Sequence, residues 1–443
     1  MRLGEISKFD RKHYFYPDLP KGYQISQYDE PIAENGKITL QFFLEENPRE
    51  TVVIGIERAH LEEDTAKLLH GHDESTYVDF NRAGTPLVEI VTKPDFQTAL
   101  EAKIFCQELR SILRTLDVSD ADMEKGQMRC EANVSVQETG KFEIVNGKVI
   151  PVEGYTLNNK VEVKNINSFK AVEKAIEFEI KRQIEMLEKS EPWPQQTRGW
   201  NEDTGETVMQ RIKENAADYR YFPEPDIPPF SPLKLAEGTF LPELPQSKRA
   251  RFHHEYGFSY ADAKILAEEK DLANFTEAVM SETDAWIEAL TQKSETKIEE
   301  ERTKIAKLVS GWITSKLFAL LNERNMEITE LKISAENFAE FIALIYTGKI
   351  NSTNAQKLLI DMVDSGVNMD PTHVMEEKGY GQVSDEGLLL LRVAEVIAGY
   401  PAQVEQFRAG KDPVIKFLIG MVMKLTEGTA DPMVVEKLLR EKL

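Results

Sequence analysis

Residues 77–95 read Tyr-Val-Asp-Phe-Asn-Arg-Ala-Gly-Thr-Pro-Leu-Val-Glu-Ile-Val-Thr-Lys-Pro-Asp, two strand-like segments on either side of a polar turn. In that turn Gly84 tolerates a positive φ, and Pro86 favours an extended residue before it. Glu89 lies in the middle of the second, otherwise apolar strand. A carboxylate there needs a cation, a metal ion, hydrogen-bond donors or water. The alternative is an edge strand on which Glu89 simply meets solvent.

The composition bounds the class of protein. The chain has 443 residues, of which 41% are hydrophobic and 29% charged, values typical of a soluble protein with two or three domains. No apolar run reaches membrane-spanning length. These features predict a cytoplasmic protein without a membrane partner. The net charge of −22 argues against a surface that coats nucleic acid generally, although a local basic patch stays compatible with RNA.

The chain contains two cysteines, Cys106 and Cys130. Two cysteines exclude a disulfide framework and a four-cysteine zinc site. A single disulfide remains open. Because Cys106 lies in a helical pattern and Cys130 in a strand pattern, we expect two buried thiols.

The hydrophobic patterns divide the chain. Aromatic segments interrupted by Pro and Gly predict a β-rich N-terminal domain over residues 1–240. Within this domain Asn35-Gly36 predicts a hairpin turn, and a helix is expected from Thr98 to Leu116. Helical patterns follow in residues 241–332, and shorter helices predict an all-α tail domain over residues 333–443. The expected fold class is therefore α+β.

A run of acids provides a candidate metal site. Glu62, Glu63 and Asp64 follow one another at the end of a predicted strand. Adjacent carboxylates repel each other, and a divalent cation relieves the repulsion. Mg²⁺ takes one or two protein carboxylates and keeps water or phosphate oxygens in its other positions. Glu63 becomes a candidate ligand if its strand lies beside that of Glu89. The alternative is a solvated acidic turn.

Several basic positions are candidate contacts for phosphate or RNA. Lys12 belongs to a cationic group between aromatic residues, a combination that binds phosphates and bases. Lys164 and Asn165 lie where a strand meets a helix, and Arg220 lies between two tyrosines. Three of these positions have a structural alternative: a solvated strand end for Lys12, turn chemistry for Asn165 and an aromatic clasp for Arg220. Phosphate-binding glycine loops and serine-nucleophile elbows are absent from the sequence.

The motif Val78-Asp-Phe-Asn-Arg-Ala-Gly-Thr-Pro-Leu-Val-Glu-Ile90 resembles the signature of the B subunit of the aspartyl/glutamyl-tRNA amidotransferases. The similarity continues in Ser7-Lys-Phe-Asp-Arg-Lys12, in Tyr14-Phe-Tyr-Pro-Asp18 and in the segment 218–229, and it covers almost the whole chain. It implies a cradle-like shape for the β-rich domain and tRNA binding by the tail domain.

The resemblance also implies an activity. In this family the B subunit forms a heterotrimer with a glutaminase A subunit and a small C subunit. It binds misacylated tRNA(Gln) or tRNA(Asn), phosphorylates the side-chain carboxylate with ATP and Mg²⁺, and admits ammonia from the A subunit. Glu63 and Glu89 are similar to the family's Mg²⁺ ligands, and Lys12 matches a lysine near the reaction site. Arg82, within the signature, joins Lys164, Asn165 and Arg220 as a candidate contact with substrate or RNA.

One departure from the family pattern leaves an alternative open. The family normally begins with several dozen further residues, including a Gly-Leu-Glu-Val-His-like strand whose Glu and His complete the metal site. We therefore expect this chain to lack part of the ligand set. A non-catalytic tRNA-binding or scaffold fragment of the same complex is the competing hypothesis.

Overall fold

The protein is described by a computed structural model. The structure describes residues 1–42, 47, 49–70, 75–145, 148–212, 219–291, 295–381, 386–426 and 428–443. The chain forms two compact units, Met1–Pro242 and Glu243–Leu443.

The first unit is β-rich. Its strands are β1 (Arg2–Leu3), β2 (Asp10–His13), β3 (Tyr23–Ser26), β4 (Ala33–Gln41), β5 (Thr51–Glu63), β6 (Lys67–His70), β7 (Thr76–Asp79), β8 (Pro86–Thr92), β9 (Cys130–Val134), β10 (Phe142–Val145), β11 (Lys148–Pro151), β12 (Val161–Ile166), β13 (Gln196–Asn201), β14 (Glu206–Ile212) and β15 (Phe222–Pro223). Its helices are α1 (Ala99–Thr115), α2 (Phe169–Glu188) and the short α3 (Pro232–Leu235).

Three sheets organise this unit. An antiparallel sheet has the strand order β1-β4-β5-β8, so β8 is an edge strand. A second sheet has the order β14-β13-β12-β9, in which only the β12–β13 pair is parallel. The third sheet joins β15, β2 and β3. The pairs β6–β7 and β10–β11 form separate ribbons.

Helices α1 and α2 close the core between the first two sheets. Ile54 on β5 and Val163 on β12 are fully buried in the same hydrophobic cluster as Phe105 on α1 and Val172 on α2. The apolar faces expected from the sequence therefore meet in one core. Thr98 caps α1 and Ser168 caps α2. The helix expected from Thr98 to Leu116 is found at Ala99–Thr115.

The predicted hairpin turn at Asn35-Gly36 is wrong. Both residues lie inside β4, where Glu34 pairs with Arg58 and Gly36 with Ile56. Asn35 has a φ of 53°, a value that asparagine tolerates well. The same residue types therefore accommodate a local irregularity in a long strand instead of reversing the chain.

The second unit is helical. Its helices are α4 (Pro245–Tyr256), α5 (Tyr260–Leu266), α6 (Lys270–Thr291), α7 (Glu295–Gly311), α8 (Phe318–Arg324), α9 (Ala335–Tyr346), α10 (Ser352–Asp364), α11 (Pro371–Glu377), α12 (Glu386–Gly399), α13 (Pro401–Arg408), α14 (Ile415–Leu425) and α15 (Pro432–Lys442). A π-helical segment, Trp312–Leu317, joins α7 to α8.

Two hydrophobic cores lie within this unit. One runs from Phe252 to Met375 and the other from Leu389 to Leu439. The α+β class is thus confirmed, whereas the domain division at 332/333 stays a prediction. Among the described helices, none combines the length and apolar character needed to cross a bilayer.

Candidate functional site

The central feature of the site is a cluster of His60, Glu62 and Glu89 on one face of the first sheet. Strand β5 carries His60 and Glu62, which share a face because side chains alternate along a strand. Glu89 lies directly opposite His60 on β8. The imidazole Nε2 of His60 lies 3.8 Å from Glu62 Oε2 and 3.8 Å from Glu89 Oε2.

The three side chains could hold a metal ion. One potential ligand atom from each residue lies within 4.8 Å of the other two. Two carboxylates match what Mg²⁺ takes from a protein, and the imidazole nitrogen is a softer donor at the same point. The residues present therefore fit a divalent cation.

Burial distinguishes the three groups. The His60 side chain is buried and that of Glu62 is 12% exposed, whereas that of Glu89 is 48% exposed and opens the cluster to solvent. His60 Nδ1 is buried and has no hydrogen-bond partner among the residues that the structure describes. Burial opposes ionisation of Glu62, but His60 and the Lys12 ammonium together hold the pKa of Glu62 below its ordinary value. The cluster thus keeps one largely buried, charged carboxylate beside one accessible carboxylate.

A group of tyrosines lies beside these carboxylates. Tyr14 meets the edge of Tyr219 with the ring centroids 6.1 Å apart, and Tyr219 meets Tyr221 at 6.2 Å. Burial raises the pKa of Tyr221 to about 12, and the negative charge of Glu62 contributes to that rise. Burial also raises the pKa of Tyr14, again with a contribution from Glu62.

Lys12 brings a cation to this group. Its Nζ lies 5.0 Å from the centroid of the Tyr219 ring, within the range of a cation–π contact. The backbone carbonyl of Tyr219 accepts a hydrogen bond from the neighbouring His13 amide at 2.8 Å. The site therefore combines a carboxylate cluster, a lysine and phenol rings, a set that can bind a cation and an anionic group side by side.

Comparison with known proteins identifies the family. Residues 1–235 match the family model described as the GatB/GatE catalytic domain, and residues 292–443 match the model described as the GatB domain. The B subunit of the aspartyl/glutamyl-tRNA(Asn/Gln) amidotransferase from Rippkaea orientalis is 42% identical over 453 residues, covering 100% of this chain and 84% of the relative. That of Persephonella marina is 42% identical over 442 residues, covering 99% and 85%. The chain belongs to the amidotransferase B-subunit family.

Membership in the B-subunit family confirms the resemblance seen in the sequence, but the metal candidates need revision. The structure does not bring Glu63 and Glu89 together. Glu63 lies opposite Pro86 and therefore points to the other face of the sheet from Glu89. Its carboxylate accepts hydrogen bonds from the Ile25 amide at 2.9 Å and from the Lys21 ammonium. Glu63 thus ties β5 to the β2–β3 segment.

Arg82 is held within the B-subunit signature. It forms an ion pair with the buried Asp64 at 3.0 Å and donates a hydrogen bond to the Gly126 carbonyl at 3.1 Å. Arg129 binds the same Asp64 carboxylate at 2.9 Å. These contacts fix the position of the turn that precedes β8. A contact between Arg82 and substrate stays a prediction.

Lys164 lies on β12 within a second polar group. Its Nζ lies 3.0 Å from Glu131 and 3.7 Å from Glu162. Partial burial opposes the charged form, but Glu131 and Glu162 outweigh it and raise the pKa of Lys164, with a further contribution from Tyr219. This polar group therefore borders the tyrosines that adjoin the carboxylate cluster.

Asn165 and Arg220 both adopt left-handed backbone conformations. Asn165 has a φ of 61° at an irregularity in the pairing of β12 with β9. Arg220 has a φ of 46°, and its carbonyl lies 3.3 Å from His13 Nδ1. The positive φ values indicate a conformational role for both residues. Their roles toward RNA stay predictions.

Sequence reasoning missed His60, Glu62 and the tyrosines as site residues. The sequence does contain a signal for His60 and Glu62. Because side chains alternate along a strand, a β5 that extends through Glu63 places Glu62 on the same face as His60 and Glu63 on the opposite face. Choosing between their two faces also requires the register with β8. Tyr14 and Tyr219 are far apart in the sequence, and no local pattern predicts their contact.

Proposed function

We propose that this chain is the tRNA-activating subunit of a glutamine-dependent amidotransferase that converts Glu-tRNA(Gln), Asp-tRNA(Asn) or both to the amidated forms. It acts in a cytoplasmic heterotrimer with a glutaminase A subunit and a small C subunit. The observation that carries the proposal is the cluster of His60, Glu62 and Glu89 beside Lys12, in a member of the B-subunit family.

The proposed reaction has two steps. A side-chain carboxylate oxygen of the tRNA-bound amino acid attacks the γ-phosphorus of ATP, forming an acyl phosphate and releasing ADP. Ammonia from the A subunit then attacks the acyl carbon, and inorganic phosphate leaves. Activation is needed because a free carboxylate has no adequate leaving group. Bound Mg²⁺ supplies neutralisation of phosphate charge during the transfer.

The cluster residues and the neighbouring Lys12 have different proposed roles. Glu62 and Glu89 are the proposed oxygen ligands. Glu62 suits this role because its lowered pKa keeps it ionised, and Glu89 suits it because its exposed carboxylate reaches the solvent side. His60 supplies a third donor or orients the carboxylates from its buried position. Lys12 neutralises an approaching phosphate or substrate carboxylate.

Amide formation on misacylated tRNA tests the proposal. The parent chain, its partner subunits, glutamine, ATP and Mg²⁺ are combined with Glu-tRNA(Gln) or Asp-tRNA(Asn), and both ADP and amidated tRNA are measured. Glu62→Gln and Glu89→Gln should each lower the rate by on the order of 10²-fold. Glu57→Gln is the matched control, because Glu57 is an exposed carboxylate on the same strand.

A second readout separates the metal site from activity. Mn²⁺ binding, followed by electron paramagnetic resonance, should weaken in Glu62→Gln and Glu89→Gln but persist in Glu57→Gln. Loss of Mn²⁺ in Glu63→Gln with retention in Glu62→Gln would contradict the assignment of Glu62. A parent chain that binds misacylated tRNA but forms neither ADP nor amide would favour the scaffold hypothesis.

A further inference from the structure

The two cysteines of the chain lie against each other inside the first unit. Cys106 on α1 and Cys130 on β9 have their Sγ atoms 3.6 Å apart, and both are free thiols. A disulfide bond is about 2.05 Å long, so the sulfur atoms need to approach by only a small further displacement. The pair joins a helix to a strand of the second sheet.

The contact between the two sulfur atoms shifts the pKa values of the two thiols in opposite directions. It raises the pKa of Cys106, to which burial also contributes. It lowers the pKa of Cys130 despite the opposing effect of burial. Cys106 is 6% exposed, whereas Cys130 is only partly buried. Because the thiolate is the nucleophile in thiol oxidation, Cys130 is the member of the pair that an oxidant should meet first.

We propose that Cys106 and Cys130 are a built-in redox pair that closes reversibly to an intramolecular disulfide when the chain meets a peroxide. Cys130 sulfur attacks one oxygen of hydrogen peroxide, and the O–O bond breaks to leave a sulfenic acid and water. Cys106 sulfur then attacks the sulfenic sulfur and displaces a second water. Both thiol hydrogens end in water, two sulfurs are oxidised and one peroxide is reduced.

The location gives this bond a structural consequence. On one side of Cys130, Arg129 binds Asp64 at 2.9 Å. On the other side, Glu131 binds Lys164 at 3.0 Å. The disulfide would therefore link α1 to the strand segment that carries both ion pairs. This inference does not depend on the proposed amidotransferase activity.

Oxidation of the reduced chain tests the pair. Hydrogen peroxide is added at neutral pH without denaturant, and the products are analysed by intact mass and peptide mapping. We expect a monomer lighter by two hydrogen atoms, a peptide linking Cys106 to Cys130, and full recovery of both thiols with dithiothreitol. Two free thiols after treatment of the folded protein, or only intermolecular disulfides, would overturn the proposal.

Single variants test the order of events. In Cys106→Ala, a dimedone adduct should accumulate on Cys130, since no second thiol resolves the sulfenic acid. In Cys130→Ala, the adduct on Cys106 should form at least several-fold more slowly. Circular dichroism confirms that each variant is folded. A disulfide that forms in urea but not in the native chain would show that the folded geometry does not bring the pair to reaction.

Discussion

Asp64 is a buried carboxylate on which two arginines converge. Its side chain is 3% exposed, and it binds Arg82 at 3.0 Å and Arg129 at 2.9 Å. The two arginines come from the signature turn and from the residue before β9. A single buried anion therefore joins two segments that are distant in the sequence. Such a group stabilises strongly only while its partners remain.

Asp64→Ala should destabilise the first unit by about 2–4 kcal/mol, because two cations lose their buried partner. Asp64→Asn should lose less, since its amide oxygen still accepts a hydrogen bond. Urea unfolding followed by circular dichroism measures both changes. Glu57→Ala, which removes an exposed carboxylate, is the control and should change stability by less than about 0.5 kcal/mol. Equal effects of Asp64→Ala and Glu57→Ala would contradict this account.

At the scale of residues, sequence reasoning proposes one of the three cluster residues, Glu89, as a metal ligand. Glu89 was accessible to prediction because a carboxylate interrupts an apolar strand. Motif matching favours Glu63 over Glu62, and the structure separates them by a single step of strand alternation. That step decides which face a side chain occupies. The local sequence shows the alternation along β5 but not which strand pairs with it. The cluster therefore could not be predicted without the fold.

The irregularity in β12 shows how one residue shapes an element. Asn165 is exposed and has a φ of 61° between Val163 and Ile166, where the register with β9 shifts. Asparagine and glycine tolerate this conformation, whereas a β-branched residue does not. The position therefore has a structural requirement that is independent of RNA.

Asn165→Gly should leave stability within about 0.5 kcal/mol of the parent, whereas Asn165→Val should lose about 1–2 kcal/mol through backbone strain. Thermal unfolding measures both. The same variants separate structure from recognition. If Asn165→Gly folds normally but binds misacylated tRNA more weakly, the amide contacts the RNA. Unchanged binding would leave Asn165 with its conformational role alone.

The start of α1 carries a pH-dependent contribution to stability. Glu101 is fully buried and accepts hydrogen bonds from Arg49 Nε at 3.0 Å and from the Gln97 amide at 2.7 Å. Burial opposes ionisation of Glu101, but Arg49, Gln97 and Asn47 outweigh it and lower its pKa. A lowered pKa in the folded state means that the contribution is present above the unfolded-state pKa, about 4.3, and is lost as the pH falls through the folded value.

Glu101→Gln should therefore destabilise the protein by about 2–4 kcal/mol at neutral pH, because the Arg49 pair is broken. The difference from the parent should shrink as the pH falls from the unfolded-state pKa of about 4.3 through the lower folded-state pKa, where the carboxylate of the folded parent also becomes protonated. Urea unfolding across this range measures the trend. A difference that stays constant with pH would show that Glu101 acts through packing rather than charge.

Local signals predicted helices better than turns. The helix expected from Thr98 to Leu116 is found at Ala99–Thr115, where Thr98 and Glu101 form the capping box. The hairpin prediction at Asn35-Gly36 is wrong because the same residue types accommodate an irregularity within a strand as readily as a hairpin turn. Cap chemistry depends on neighbours within four residues, whereas a turn in a sheet depends on a distant partner strand.

At the scale of the whole molecule, the sequence changes from interrupted aromatic segments to helical patterns near residue 240, and the two compact units divide at Pro242. The division into three domains stays a prediction. A switch from alternating to helical periodicity is a local signal. The sheet order was not predictable, because β5 pairs with β8 across the intervening β6–β7 ribbon. The B-subunit family membership now accounts for both units, while the composition alone indicated only a multidomain protein.

The described core residues of the first unit form one cluster and those of the second unit form two, and matched isoleucines test the division into units. Ile54 and Ile342 are both fully buried, one in each unit. Replacement of either by alanine should destabilise its own unit by about 2–5 kcal/mol through lost packing and a cavity. Hydrogen exchange read by mass spectrometry should show faster exchange chiefly in peptides of the substituted unit.

The exposed isoleucines Ile144 and Ile265 provide the controls, since they are 57% and 43% exposed. Their alanine variants should leave exchange close to that of the parent. If Ile54→Ala and Ile342→Ala each accelerated exchange equally throughout residues 1–443, the chain would unfold as one cooperative body. Acceleration confined to one unit in each variant would mean that either unit can open without loss of core packing in the other, which is the behaviour expected of units whose cores are separate.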